Sequence, residues 1–324
     1  MPASSRKGKS RATEPAPTAA IPLGKQLAHT DKKVRDRAVQ SLVAFLSRGG
    51  DAEGSSSGYV RLEESEMSKL WKGLFYCFWM SDKPLVQQAL ATDLAELLLQ
   101  INPSAEVEHD KERFNAAVAF LDGFWRAIVR EMDKFYLLIR RYVNATFRLL
   151  ARAEWSTEAI AAVNEILGRK GGPLTYEDPK VPISLGMHLA DIYVEELDKV
   201  LRQPEVDAAP SCPLVEVLRP HITLLARTPH QVMHNRLMTA LFTPLLDALA
   251  LASSAEERPR KRAKVDEPMY AHVIMHSTTS EGDSPEAIRL AVLKAMFEAA
   301  AAERAVESNR RKIYKVWREE GDDE

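Results

Sequence analysis

Two histidine pairs, His230/His234 and His272/His276, repeat the i, i+4 spacing with which one helix face can offer two imidazole nitrogens to a metal. The residues between the first pair, Gln231, Val232 and Met233, lack the glutamate base of a helical zinc hydrolase, and no third ligand is evident. The second pair falls in an expected loop, so both read as surface or partly packed histidines. Gly8-Lys9-Ser10 imitates the end of a phosphate-binding loop, but Ala3 stands where the first glycine belongs. Around Ser184 the order Pro182-Ile183-Ser184-Leu185-Gly186 lacks the first glycine of a nucleophile elbow. Cys77 sits among aromatics in GLFYCFWM, where a thiol is a small buried hydrophobe with a raised pKa. Asp93, Glu96, Asp191, Glu195 and Glu196 recur at the spacing of amphipathic helix surfaces. These residues give no catalytic centre, no metal site, no cofactor and no small-molecule substrate, and the chain is expected not to be an enzyme.

The cations carry a different chemistry. On the helix expected over 122–152, at 100° per residue, Arg126, Arg130, Lys134, Arg141, Arg148 and Arg152 fall within a wedge of roughly 80°. Trp125, Ile128, Met132, Phe135, Ile139, Val143 and Leu150 lie opposite. Such a row, spread over about 39 Å, suits a phosphate backbone, because each neutralised phosphate releases counterions. Two alternatives stay open: docking of an acidic protein segment, or a solvated face paired with Glu131, Asp133 and acids of adjacent helices. Trp125, Phe135, Tyr136 and Phe147 sit on or beside the buried side and are read as core rather than as base-stacking groups.

A second cluster, Arg258, Arg260, Lys261, Arg262 and Lys264, is bounded by Pro259 and Pro268 and reads as a nuclear-import signal for the acidic groove of an importin. The plainer alternative is a solvated charged linker. The N-terminal cations Arg6, Lys7, Lys9 and Arg11 lack an apolar stretch behind them, so they are not a secretory signal. The apolar run at 241–252 is interrupted by Pro244 and Asp247 and falls short of the ~18 residues of a membrane helix, so no membrane partner is expected.

The elements that must position these groups are helical. The 324 residues carry a net charge of −2, 45% hydrophobic residues and only 14 glycines, which disfavours global disorder, a uniformly basic nucleic-acid binder and turn-rich β architectures. Cys77 and Cys212 are too few for a disulfide scaffold and point to a reducing compartment. Helix-period segments are expected near 31–47, 63–80, 83–101, 110–153 (with a kink near Gly123), 157–167, 183–201, 213–226 and 231–251. Gly49-Gly50, an insert DAEGSSSG, Asp82 as an N-cap and Asn102-Pro103-Ser104 punctuate them. Strand signals are nearly absent. The fold class is therefore all-α, an irregular array of stacked helical hairpins of the HEAT or armadillo kind. Residues 1–22 are expected as a disordered basic tail, 23–252 as an all-helical domain and 253–283 as a linker with the import-like cluster. A C-terminal helix over 284–318, capped by Ser284 with Pro285 at its first position, is expected to present a narrow face to a partner, followed by an acidic tail at 319–324.

Three segments carry a family resemblance: LWKGLFYCFWMSDKPLVQQALATDLAELL at 70–98, DKFYLLIRRYVNATFRLL at 133–150 and SLGMHLADIYVEEL at 184–197. They resemble the ribosomal RNA processing protein 1 family, with Trp71, Lys72, Asp82, Lys83 and Pro84 matching the first segment and Lys134, Arg140 and Arg141 the second. The resemblance covers about 23–252 and leaves the region beyond Ser253 outside. It implies a nucleolar, non-catalytic factor for large-subunit ribosomal RNA processing, a helical scaffold in the pre-60S particle whose partners are precursor ribosomal RNA and other assembly factors. The alternative is a nuclear protein–protein adaptor with only indirect ribosome association.

Overall fold

The computed structural model describes residues 23–47, 64–81, 83–101, 110–129, 135–203, 210–256, 269–280 and 282–320. Fourteen helices follow one another among them: α1 (Leu23–Leu27), α2 (Lys32–Ser47), α3 (Glu64–Trp79), α4 (Pro84–Gln100), α5 (Asp110–Ile128), α6 (Tyr136–Arg152) and α7 (Thr157–Gly168). The second half holds α8 (Ile183–Leu201), α9 (Leu214–Arg227), α10 (Gln231–Leu237), continued through a π-helical turn at Met238–Phe242 into α11 (Thr243–Glu256), then α12 (Ala271–His276), α13 (Pro285–Ala301) and α14 (Glu307–Glu320). Strand structure among the described residues is one parallel pairing, β1 (Cys212–Pro213) with β2 (Ser277–Thr278), beside an isolated antiparallel bridge between Thr279 and Gly282. The all-α, repeat-like class read from the sequence holds.

Consecutive helices alternate between two rows. One row stacks α1, α3, α5, α7, α9 and α13, and the other stacks α2, α4, α6, α8 and then both α10 and α12. Each helix is amphipathic and cannot bury its apolar stripe alone, so stacking every second helix produces one continuous core.

Aromatic packing locks the rows together near the N-terminal half. Trp71 on α3 is fully buried, with ring centroids 4.7 Å from Phe120, 5.4 Å from Phe124 and 5.6 Å from Tyr142 on α6. Phe124 stacks on Tyr142 at 3.9 Å, and the Tyr142 hydroxyl donates to the Leu94 carbonyl of α4 at 2.6 Å. Burial of an aromatic this size is worth about 3–5 kcal/mol when truncated to alanine. Gly123 makes that approach possible: a Cβ there would lie 2.6 Å from Trp71 Nε1 and 2.7 Å from Met67 Cγ. Gly123, the expected site of a kink, lies inside the uninterrupted α5 and serves close helix packing.

The chain breaks later, between Ile128 and Tyr136, although no glycine or proline stands there. Phe135 explains the break physically. It adopts a non-helical conformation (φ −110°, ψ 9°) and is 1% exposed, with its ring 5.0 Å from Phe75 and 5.4 Å from Phe78. Burying this ring on α3 while α6 crosses to the other row outweighs continuation of the helix.

Three further boundaries differ from the sequence reading. The expected C-terminal helix is two helices, because Val306 N–H donates to the Ala226 carbonyl at 3.0 Å and buried Asn309 donates to the Thr228 carbonyl at 2.8 Å. These bonds cap the end of α9 and override the helix propensity of the alanine run. Ser284 does cap α13, its hydroxyl accepting from Ala287 N–H at 3.2 Å. α13 packs on α9 and α11, with Ile288, Val292 and Met296 among its buried residues. Glu319 and Glu320, expected in a tail, end α14, where the Glu320 carbonyl accepts from Arg289 at 2.7 Å. The expected linker contains α12 and β2. The stretch Gln231–Ser254 is long and apolar enough to cross a bilayer by length and composition. In the fold its Met233, Leu237, Leu241, Leu245 and Leu249 are buried, one face of an amphipathic stretch whose Val232 and Leu251 are exposed. The N-terminal tail, the Gly49-Gly50 stop and insert, Asp82, Asn102-Pro103-Ser104 and residues 321–324 lie outside the described residues.

Two stability outcomes follow from this packing. Gly123→Ala is expected to destabilise by roughly 1–3 kcal/mol through overpacking, less what helix propensity returns, whereas Gly168→Ala, whose Cβ would meet nothing within 4 Å, is expected to be neutral or stabilising. Urea denaturation of the two variants checks this, and equal effects would contradict the close-approach explanation. His221 is fully buried 4.2 Å from the Tyr193 ring, and burial pushes its pKa down to about 3. The unfolded chain binds this proton near pH 6.5 and the folded chain does not. Stability from this site is thus complete above about pH 6.5 and is lost by up to about 1.4 kcal/mol per unit as pH falls towards the folded value. His221→Phe is expected to narrow the drop in melting temperature between neutral and acidic pH.

Candidate nucleic-acid interface

The six cations expected to form one stripe do not share a helix. Arg126 belongs to α5, Arg141, Arg148 and Arg152 belong to α6, and Arg130 and Lys134 fall outside the described residues. The change of row after Ile128 removes the single straight wedge, so the 39 Å row is corrected to two separate groups.

Most described members of the set are engaged within the chain. Arg126 Nε lies 2.8 Å from Asp122 and its Nη1 lies 3.2 Å from Glu64. Arg148 pairs with Glu96 of α4, and Arg152 donates to the Leu99 carbonyl at 2.9 Å. Arg141 is exposed on α6. Its neighbour Arg140 is structural, donating to Glu195 at 2.8 Å and to the buried Glu196 at 3.0 Å on α8. Asn144 and Lys199 complete the Glu196 carboxylate at 3.1 and 2.9 Å. Burial works against the Arg140 guanidinium, but the Glu195 and Glu196 hydrogen bonds overcome it and raise its pKa. Burial likewise opposes the Glu195 carboxylate, and hydrogen bonds from Arg140 and Lys199 outweigh it, so its pKa is lowered. This charge-assisted clamp holds α6 on α8.

Of the aromatics read as core, Trp125, Phe135 and Phe147 are buried, whereas Tyr136 is 41% exposed and its ring meets His188 at 4.6 Å. The segment 71–79 is core on one face only, because Tyr76 and Trp79 are 49% and 47% exposed. They line a cleft of about 1370 Å³ between α3, α5 and the segment 169–181. Lys72, Arg126, Arg169, Lys170 and Lys180 contribute cations to it, and Glu64, Asp122 and Asp178 contribute carboxylates. Helical phase could have shown this face, since Lys72, Tyr76 and Trp79 fall within about 60° at 100° per residue. Lys170 and Lys180 carry no such signal; they reach the cleft through tertiary folding.

The groups considered for chemistry are dispersed. His230 is exposed at the start of α10, while His234 is buried with its Nδ1 3.0 Å from the Leu225 carbonyl. His272 and His276 lie on α12 rather than in a loop. Both cysteines are buried and free, and burial pushes the Cys77 and Cys212 thiols up. Among the described residues no three His, Cys, Asp or Glu side chains gather as a metal-binding group. The import-like cations Arg258, Arg260, Lys261, Arg262 and Lys264 lie outside the described residues, between α11 and α12.

Comparison with known proteins adds the family. The model of a family described as Nucleolar protein, Nop52 matches residues 18–316. Mouse Ribosomal RNA processing protein 1 homolog B is 30% identical over 246 residues, covering 73% of this chain and 31% of that protein. Human Ribosomal RNA processing protein 1 homolog A is 28% identical over 240 residues, covering 72% and 47%. The Drosophila melanogaster homolog is 31% identical over 209 residues, covering 62% and 27%. The matched stretch is less than half the length of each of these relatives. The family match also passes the end of the resemblance expected at 252 and includes α13 and much of α14, consistent with the packing of α13 on α9 and α11 and of α14 on α13 and α9. The chain belongs to the Nop52 family of nucleolar proteins, the family of ribosomal RNA processing protein 1.

Proposed function

We propose that the chain is a non-catalytic nucleolar assembly factor for ribosomal RNA processing and large (60S) subunit biogenesis, acting as a helical scaffold in the pre-60S particle. The observation that carries this reading is the family match over 18–316, shared with relatives named for ribosomal RNA processing. The two-row array supports it physically. A stacked helical core is rigid, and its outward residues can vary to meet RNA and protein without disturbing the packing.

In this reading the chain breaks no bond; it holds precursor RNA and other assembly factors in a geometry that permits processing. Arg126, Arg130, Lys134, Arg141, Arg148 and Arg152 are proposed as contributors to an RNA or acidic-partner surface, with exposed Arg141 leading among the described members. Arg258, Arg260, Lys261, Arg262 and Lys264 are proposed as the sequence an importin takes to bring the chain into the nucleus. The engagement of Arg126, Arg148 and Arg152 within the chain favours a second reading, a nuclear protein–protein adaptor whose ribosome association is indirect.

Depletion of the protein, with gradient sedimentation of nuclear extracts and probing of precursor RNA, tests the first reading. The expected outcome is co-sedimentation of the tagged protein with pre-60S particles, and on depletion an accumulation of large-subunit precursor with fewer 60S subunits. Unchanged precursor and subunit levels would contradict it. Adaptor behaviour would appear as particle association that survives removal of RNA by nuclease.

A further inference from the structure

The cleft against α3 combines two features. The first is a pair of half-exposed aromatic rings, Tyr76 and Trp79, one helical turn apart and on the same face as Lys72. The span from Lys72 to Trp79 is about 10.5 Å along the helix. The second is charge. The cleft carries five cations, Lys72, Arg126, Arg169, Lys170 and Lys180, against three carboxylates, Glu64, Asp122 and Asp178. Arg126 and Arg169 are held by Asp122 and Glu64 between the walls. No ion pair with a described residue engages Lys72, Lys170 or Lys180, and all three are exposed in the lining of the cleft.

We propose that this cleft binds single-stranded RNA, with bases stacked on Tyr76 and Trp79 and phosphates paired by Lys72, Lys170 and Lys180. The inference deepens the assembly-factor reading above and rests on it for the presence of precursor RNA. Single strands are favoured over duplexes because base faces in a duplex are already stacked and have nothing to offer the rings. They are favoured over an acidic peptide because carboxylates would satisfy the ammonium groups yet offer no flat face to the half-exposed Tyr76 ring. A positive groove that tracks the backbone beside aromatic platforms is the arrangement by which proteins hold unpaired strands without reading sequence.

The test is fluorescence anisotropy with the full chain and a fluorescein-labelled mixed-sequence RNA oligonucleotide, single-stranded or annealed to its complement, over a series of salt concentrations. The single strand is expected to bind in preference to the duplex. Tyr76→Ala is expected to weaken it about tenfold with an unchanged salt slope, and Tyr76→Phe to retain it. Lys72→Ala with Lys170→Ala is expected to flatten the slope of log K against log salt by about 1.4. Thermal melting of each variant separates lost binding from lost folding, and Tyr76 is exposed enough that its truncation leaves the core intact. The proposal is overturned if the single strand does not bind, if the duplex binds equally, if folded cleft variants bind like the parent, or if a glutamate-rich peptide displaces the RNA from the parent and binds Tyr76→Ala equally well. Any of these results, together with retained co-sedimentation on pre-60S particles, removes the cleft and leaves the scaffold reading standing. Loss of co-sedimentation would remove that reading itself.

Discussion

Burial of Trp71 is the constraint from which the N-terminal half of the array takes its shape. Its indole contacts Phe120 and Phe124 of its own row and Tyr142 of the other, while Tyr142 reaches across to the Leu94 carbonyl. One cluster therefore fixes α3, α4, α5 and α6 together. The same cluster requires Gly123 for close approach and draws Phe135 into the core, which ends α5 and starts α6. What can be displayed on the surface follows: with one face of α3 committed to the core, Lys72, Tyr76 and Trp79 are left on the other.

Charge in this molecule divides by task. Glu196, 2% exposed, would be costly alone, and Arg140, Asn144 and Lys199 together satisfy it. Removing a partner from such a buried carboxylate costs more than the pair contributes, because the remaining charge is stranded. Arg140 and Arg141 are adjacent in sequence but point to opposite uses: one clamps α6 to α8, and the other is exposed. The exposed pairs, such as Arg126 with Glu64, contribute little to stability and are open to exchange with an outside anion.

Much of the fold was legible because helical periodicity is local. The bounds of α3, α4, α7, α8 and α9 lie within a few residues of the pattern read from apolar spacing. Two breaks not seen in the pattern, after Ile128 and after Ala301, have tertiary causes: burial of Phe135 on α3, and capping of the α9 end by Val306 and Asn309. Neither leaves a glycine or proline to be seen. The missed first break misplaced the cationic face, because a wedge computed on one straight axis has no meaning across two rows. The cleft was half legible: Lys72, Tyr76 and Trp79 share a face by simple phase, whereas Lys170 and Lys180 join them only after α7 and the following turn pack on α5.

Ultraviolet crosslinking in growing cells, with mass-spectrometric identification of the peptides that carry RNA, addresses most directly where this surface meets its ligand. Adducts are expected on the peptides spanning Tyr76 and Trp79 and on those of the segment 169–181, attached to large-subunit precursor RNA. Adducts confined to other parts of the chain, or a chain that enters the particle without any RNA adduct, would contradict a contact made through the α3 cleft.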